Sequence, residues 1–427
     1  MTTLPGDPPG EGAALAGAAP PPELPSRKSE FRRLSVLIAI AFVDMLGSAV
    51  VFPLVPLYLL RYQAAPVVIG LVLAAFSIAQ LLSSPVWGRI SDRQGRRPAL
   101  VAGLLFAAMG FITFGFADSI LLLFMSRLIQ GAGGGTTGVA QAYIADSVPA
   151  GRRAQALGWL SAATNLGVMI GPVIGSLAVR FGTEWPGIVA ALLCLANAVC
   201  AWKWLPESRA PLEAGHAERP RKPVWHAAWQ VVRHPGGPVP RLVWIYAAGM
   251  LGLFTMTSVL ALYLNAAFGI TEQTIGYVFL YIGALSVLMR SLLLGPIVHR
   301  LGEPWTLRSG AILLALGLLL YPVAGTWILL APIMALIPIG TALLFPATTA
   351  LMSHASERTE VGTTMGVAQT FAAVSRIIAP LAATWAFQHV GHASPFVLGG
   401  AIVALVGILA FRLDAPAHAL RTTEKPA

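Results

Sequence analysis

Twelve apolar stretches of about 20 residues or more, joined by polar turns, decide what this chain can become. They lie near 34–60, 67–88, 98–117, 119–146, 154–180, 185–205, 241–267, 274–298, 305–324, 326–352, 362–390 and 394–412. A helix of about 20 apolar residues crosses a bilayer core, and lipid offers no partner to backbone groups left unpaired by helix or closed barrel. Composition agrees, with 56% of residues hydrophobic and 11% charged, against about 25% charged in soluble proteins. Such a chain cannot cover itself with polar surface. The expectation is an all-α membrane protein of twelve transmembrane helices.

Charge sets the orientation. Of the 28 Lys and Arg, Arg61 and Arg180 fall on one side, Arg127, Arg290 and Arg376 fall within spans, and the other 23 share the opposite side. Short loops rich in Lys and Arg stay cytoplasmic, so both termini are expected inside, in a multi-pass protein of the cell inner (plasma) membrane. The formal net charge of +10 raises the question of nucleic acid. These charges sit in loops between apolar spans rather than along one face, so anionic lipid headgroups fit them better. No nucleic-acid partner is expected. Cys194 and Cys200 are six residues apart in one span. They point away from one another on a helix and read as free thiols without a metal.

The chain divides in two. Residues 1–33 read as a disordered cytoplasmic tail, 34–205 as a first six-helix bundle and 206–240 as a cytoplasmic linker. A second six-helix bundle, 241–412, and a cytoplasmic tail, 413–427, complete it. A repeat supports the division: Gly88…Arg93-x-Gly95 recurs as Gly295…Arg300-x-Gly302, offset by 207, and Gly158 and Pro172 recur as Gly366 and Pro380, offset by 208. Paired halves around a central site are a common plan of secondary transporters.

Between the second and third spans the chain reads Gly88-Arg89-Ile90-Ser91-Asp92-Arg93-Gln94-Gly95-Arg96-Arg97. Four arginines there cannot lie in hydrocarbon, so this stretch is expected to be a tight loop on the cytoplasmic face. The pattern closely resembles the loop between helices 2 and 3 of the major facilitator superfamily. Span 4 carries Arg127-Leu128-Ile129-Gln130-Gly131-Ala132-Gly133, similar to that family's Arg-x-x-Gln-Gly-x-Gly signature. Span 5 carries Gly167-x-x-x-Gly171-Pro172-x-x-Gly175, which resembles a stretch of its proton-coupled exporters, with Ser176 where a second glycine is usual. Pro206-Glu207-Ser208 after span 6, and Asp44 with Gly47 and Pro53 in span 1, are similar to the 12-helix tetracycline and multidrug proton antiporters. The resemblance implies the major facilitator fold, two pseudo-symmetric six-helix bundles. It also implies that Asp92 meets the start of span 11 near Gly362, where the helix dipole is positive. Arg93, Arg96 or Arg97 would then engage Asp146, and the assembly would latch one conformational state.

Deep charges narrow the working site. Asp44 lies about 15 Å into span 1 and Arg127 about 12 Å into span 4 from the opposite side. A charge at such depth costs at least about 2.5–3.5 kcal/mol and is normally paired or faces a wet cavity. Asp44 is the one acid deep in any span. It is expected to carry the proton, with Arg127 answering its protonation state; an ion pair tying span 1 to span 4 is the plainer account. Arg376, about 21 Å into span 11, has no deep acid in its own half; it meets a partner across the cavity or an anionic group of the substrate, or else bonds to backbone carbonyls or snorkels. Arg290 is expected to snorkel from near the inner end of span 8. Gln130 and Asn165 are candidate cavity residues. Gly167, Gly171 and Gly175, four apart, mark a helix-packing face.

Other functions find no support. None of Lys28, Lys203, Lys222 and Lys425 follows a glycine, so no phosphate-binding loop serves an ATP-driven pump. Gly133-x-Gly135-x-x-Gly138 matches a dinucleotide fingerprint in letters only, because it lies inside a span without a preceding strand. A membrane enzyme would need a polar catalytic cluster, and none is legible. The expected function is secondary transport by alternating access without a cofactor, most simply a proton-driven monomeric exporter of small amphipathic compounds or drugs. The alternative is a proton-coupled uptake symporter or a facilitator for a small metabolite, anionic ones included.

Overall fold

The computed structural model describes residues 27–208, 224–357 and 360–411. The expected tail 413–427, residues 1–26 of the expected first tail and residues 209–223 of the linker lie outside them. The first half comprises α1 (Arg27–Val51), α2 (Leu54–Arg61), α3 (Pro66–Gln94), α4 (Arg96–Gly115), α5 (Ile120–Gly133), α6 (Thr136–Ser147), α7 (Ala150–Ala178) and α8 (Trp185–Trp204). After a short α9 (Val224–Arg233) come α10 (Pro238–Phe268), α11 (Ile275–Leu288), α12 (Leu294–Leu320), α13 (Trp327–Ala355), α14 (Val361–His389) and α15 (Ser394–Phe411).

Ten helical segments of the described residues are each long and apolar enough to cross a membrane. One of them, Ile275–Val323, has 49 residues, about 74 Å of helix against a core of about 30 Å. It folds back at Gly302, whose φ is +74°, and so crosses twice. α5 and α6 are each too short alone and together form one crossing, interrupted at Gly134 and Gly135. Twelve crossings result. α1 packs on α7 and α8, and α4 on α5 and α8, while α12 packs on α13 and α15, and α10 on α14 and α15.

The repeat is visible as geometry. Gly95 and Gly302 both turn the chain with positive φ, +105° and +74°, a conformation that costs glycine nothing. In the first half Arg96 follows that turn and pairs with Asp146 at 2.8 Å. In the second, Glu303 follows it and lies 3.1 Å from His354. The frame recurs with the order of acid and base exchanged.

The halves touch at the end away from the basic turns. Val67 N donates to Gln388 Oε1 at 3.1 Å, Ser176 Oγ to Glu272 O at 2.6 Å, and Gly276 N to Ser176 Oγ at 2.9 Å. Arg61 meets Glu272 across the same seam at 2.7 Å. At the basic end, a Cβ placed on Gly88, Gly151, Gly158, Gly295 or Gly362 would have nothing within 4 Å. Among the described residues, the halves are hydrogen-bonded to each other at the far end, and these five glycine positions at the basic end face open space.

Small residues permit that contact. A Cβ on Gly70 of α3 would collide with Thr384 Oγ1 and stand 2.6 Å from Pro380 O on α14. Gly70→Leu should therefore hold the far end apart. We expect a disulfide between Val67→Cys and Gln388→Cys to form readily with Gly70 present and at least about tenfold more slowly in the leucine variant. Equal rates would show that the seam tolerates the side chain.

Candidate functional site

Asp44 on α1 borders a small cavity of about 20 Å³, lined also by Ile40, Met45, Leu104, Thr136 and Thr164. Its Oδ2 accepts a hydrogen bond of 2.8 Å from Thr136 Oγ1. Thr136 is the first residue of α6, so the break in the fourth crossing sets a helix N-terminus beside the carboxylate. Unpaired N–H groups and the positive end of the dipole favour negative charge there. Interrupted helices near mid-membrane are a recurring way to hold ions and protons.

Arg127 is not Asp44's partner. Its Nη1 donates to Gln130 Oε1 at 2.7 Å on the same helix, and its guanidinium lies 6.0 Å from the Phe114 ring. Among the described residues its Nε and Nη2 are buried without a partner. The reason is axial: nine residues, or about 13 Å of rise, separate Arg127 from the Thr136 that touches Asp44. Gln130 is 4% exposed and donates to Gly110 O at 3.2 Å, which places it between α4 and α5. Asn165 is half-buried on α7 and donates to Ser161 O in its own helix at 2.7 Å.

The expected loop is mostly helix. Gly88 to Gln94 are the last turns of α3, Gly95 alone reverses the chain, and α4 begins at Arg96. Arg96 is 6% exposed. Its Nη1 meets Asp92 Oδ1 at 2.7 Å and Ser91 Oγ at 3.0 Å, and its Nε meets Asp146 Oδ2 at 2.8 Å. Arg93 is exposed, whereas Arg97 stacks on Trp202 and donates to its carbonyl. Of the three arginines expected near Asp146, the structure selects Arg96. Gly362 is exposed, with no atom within 4 Å of where its Cβ would stand.

Glu207 is a member that sequence reading missed. Its carboxylate accepts from the backbone N–H of Arg96 at 2.8 Å and of Arg97 at 3.0 Å. Two of the orphan donors at the start of α4 are thereby satisfied. A Cβ on Gly95 would stand 2.5 Å from Glu207 Oε2, so that glycine is required for space as well as for φ. The signal was Pro206-Glu207-Ser208 itself, an acid with no helix of its own to cap.

On α7, a Cβ at Gly167 would meet Phe42 O at 2.8 Å, one at Gly171 would meet Ala49 Cβ at 2.5 Å, and one at Gly175 would strike Val50 O. This face seats α7 directly on α1, the helix that carries Asp44. The carbonyl of Pro172 lies against Gly276 of α11.

In the second half Arg376 is half-buried on α14, 6.0 Å from the Phe254 ring. Arg290 lies in a π-helical segment, Met289–Leu293, between α11 and α12, and its Nε is buried without a partner among the described residues. The helical run continues to the turn at Gly302, so Arg290 sits eleven residues, about 16 Å, from the basic end at Leu301. No group of three or more His, Cys, Asp or Glu suited to a metal occurs among the described residues.

A sequence model of the Major Facilitator Superfamily matches residues 37–293 and 242–427. The chain belongs to the Major Facilitator Superfamily. It is 26% identical over 363 residues to the class B tetracycline resistance protein of Escherichia coli, covering 83% of this chain and 88% of that protein. It is 27% identical over 376 residues to multidrug resistance protein 2 of Bacillus subtilis (strain 168), covering 87% and 92%. Among solved structures, it resembles a bacterial homolog to the human lysosomal transporter Spinster in an inward-facing, unoccupied conformation. There the TM-score is 0.71 at 14% identity, over 92% of this chain and 100% of that one. The human organic anion transporter MFSD10 (TETRAN) gives a TM-score of 0.67 at 21% identity, over 89% and 99%. As a major facilitator, the protein is a membrane transporter and not an enzyme. The superfamily's two-bundle fold explains why the turn geometry repeats.

Proposed function

We propose that this transporter exports small amphipathic compounds against entry of protons, as a monomer in the cell inner (plasma) membrane. The two bundles, 34–205 and 241–412, rock about a central site, with the basic end and both termini cytoplasmic. On that reading the state described is inward-open. The observation that carries the proposal is Asp44, an acid held at a helix break beside a cavity, 2.8 Å from a hydroxyl that can follow its protonation. Likeness over most of the chain to tetracycline and multidrug resistance proteins supports export rather than uptake. The resident energy source is the proton gradient, and no cofactor is required.

Everted membrane vesicles with an acidified lumen test direction and coupling together. A transported compound should accumulate inside and, on addition, partly dissipate the pH gradient read by a pH-sensitive dye. Accumulation in right-side-out vesicles, with inward proton flow, would establish uptake instead.

A further inference from the structure

We propose that Arg290, Arg376 and the hydroxyl of Tyr246 form an anion subsite in the second half, which takes the carboxylate of an amphipathic substrate. The inference rests on the transporter reading and names the chemical class that the site selects. Tyr246 on α10 touches α14 through Gln369 and α13 through Phe345, Arg376 stands two turns beyond Gln369 on α14, and the π-helical segment of Arg290 packs on α13. Both guanidinium groups lie within electrostatic reach of the Tyr246 oxygen.

The donor inventory is one-sided. Gln369 Nε2 donates to Tyr246 Oη at 3.4 Å, so the phenol oxygen is used as an acceptor. Its own proton has no acceptor among the described residues. No carboxylate pairs with either arginine among the described residues, and the Arg290 Nε is buried without a partner. The walls are apolar: Phe254 lies under Arg376 at 6.0 Å and Phe345 packs edge-on to Tyr246 at 5.3 Å. Two desolvated cations so placed are unfavourable alone and become favourable when an oxyanion bridges them. Gln369 is exposed and both arginines are half-buried, so the donors remain accessible to a ligand.

The repeat separates frame from function here. By the offsets of 207 and 208, Ser83 and Val168 occupy the first-half positions of Arg290 and Arg376. These cations are therefore no part of the shared architecture. Arg290 lies in a π turn, a feature often found at functional sites. The acid lies in one half and the donors in the other, so a carboxylate substrate has its own place, apart from the proton.

Equilibrium binding to the purified full chain tests this without any gradient, using two xanthene dyes of opposite charge. Fluorescein carries a carboxylate; rhodamine 6G is esterified and cationic. The parent should bind fluorescein at least about tenfold more tightly than rhodamine 6G. Arg290→Gln and Arg376→Gln should each weaken fluorescein about tenfold and leave rhodamine 6G unchanged or tighter. Arg376→Lys should retain part of the affinity, because the charge stays while the planar fork is lost. Tyr246→Phe keeps the packing on Phe345 and should weaken fluorescein about threefold, which tests the subsite even if a glutamine variant fails to fold. Tighter binding of rhodamine 6G by the parent overturns the proposal, as does unchanged fluorescein affinity in Tyr246→Phe or in folded glutamine variants. Fluorescein binding without vesicle transport would retire the exporter reading and leave the subsite standing.

Discussion

Arg96→Gln should reduce net transport at least tenfold while the protein still inserts in the membrane and purifies as a single species. Arg96 is the one side chain that joins Asp92, Asp146 and Ser91, at 2.7, 2.8 and 3.0 Å, and it is 6% exposed. Removing one partner of a fully buried ion pair costs about 3–5 kcal/mol; Asp92 and Asp146 keep 32% and 27% of their side chains exposed, so the loss here is smaller. Here two carboxylates would be left facing each other where α3, α4 and α6 meet. Glutamine keeps a donor but loses the charge and the fork. Arg96→Lys should recover only part of the activity, since an ammonium cannot span three acceptors on different helices. Glu207 continues to hold the backbone of residues 96 and 97, so the turn survives and the lesion is confined to the charges. Asp92→Asn asks the narrower question. If Asp92 reaches the start of α14 when the basic end closes, its loss should trap the open state and abolish transport with insertion intact. Thiol labelling of Gly362→Cys from the basic side should then rise. Normal transport by Asp92→Asn would remove the latch.

Much of this was legible in the residues. Apolar length fixed twelve crossings, and the offset repeat marked two glycines that both turn the chain with positive φ. The glycine face of α7 was legible because four-residue spacing stays on one side of a helix. What escaped were quantities that spacing does not encode. Counting residues gives depth within a span, and by depth Asp44 and Arg127 looked level. Span 4, however, is longer than the bilayer core and is broken at Gly134, which puts Thr136 and not Arg127 beside the acid. A π turn leaves no compositional trace. It adds one residue to the register and rotates what precedes it by about 100°, so the face on which Arg290 stands is not given by counting. α9 went unread because ten residues in a basic, proline-rich linker resemble any loop until they have a surface, here α10 and α14, to pack against. Glu207 acts on a helix more than a hundred residues earlier, a relation that only the fold creates.

Asp44→Asn should abolish accumulation driven by a proton gradient and preserve downhill exchange of the same compound. The substitution is nearly isosteric. Its side-chain oxygen can still accept from Thr136 Oγ1, which lies 2.8 Å from the native carboxylate, so packing around α1, α6 and α7 should hold. What disappears is titration. With one proton per substrate, one pH unit supplies about 1.4 kcal/mol, an accumulation of about tenfold. Without a group that changes charge between the two faces, that ratio should fall to about one whatever gradient is imposed. Equilibrium exchange needs no net proton movement, and its rate should stay within about threefold of the parent. Arg127 offers no substitute route, because it is bound to Gln130 on its own helix and about 13 Å along the axis from Thr136. The paired measurement separates coupling from damage. Loss of both activities would mean that Asp44 supports the structure of the first half rather than its energetics. Full gradient-driven accumulation in the asparagine variant would move the proton to another group, and Asp44 would then be a polar anchor for the N-terminus of α6.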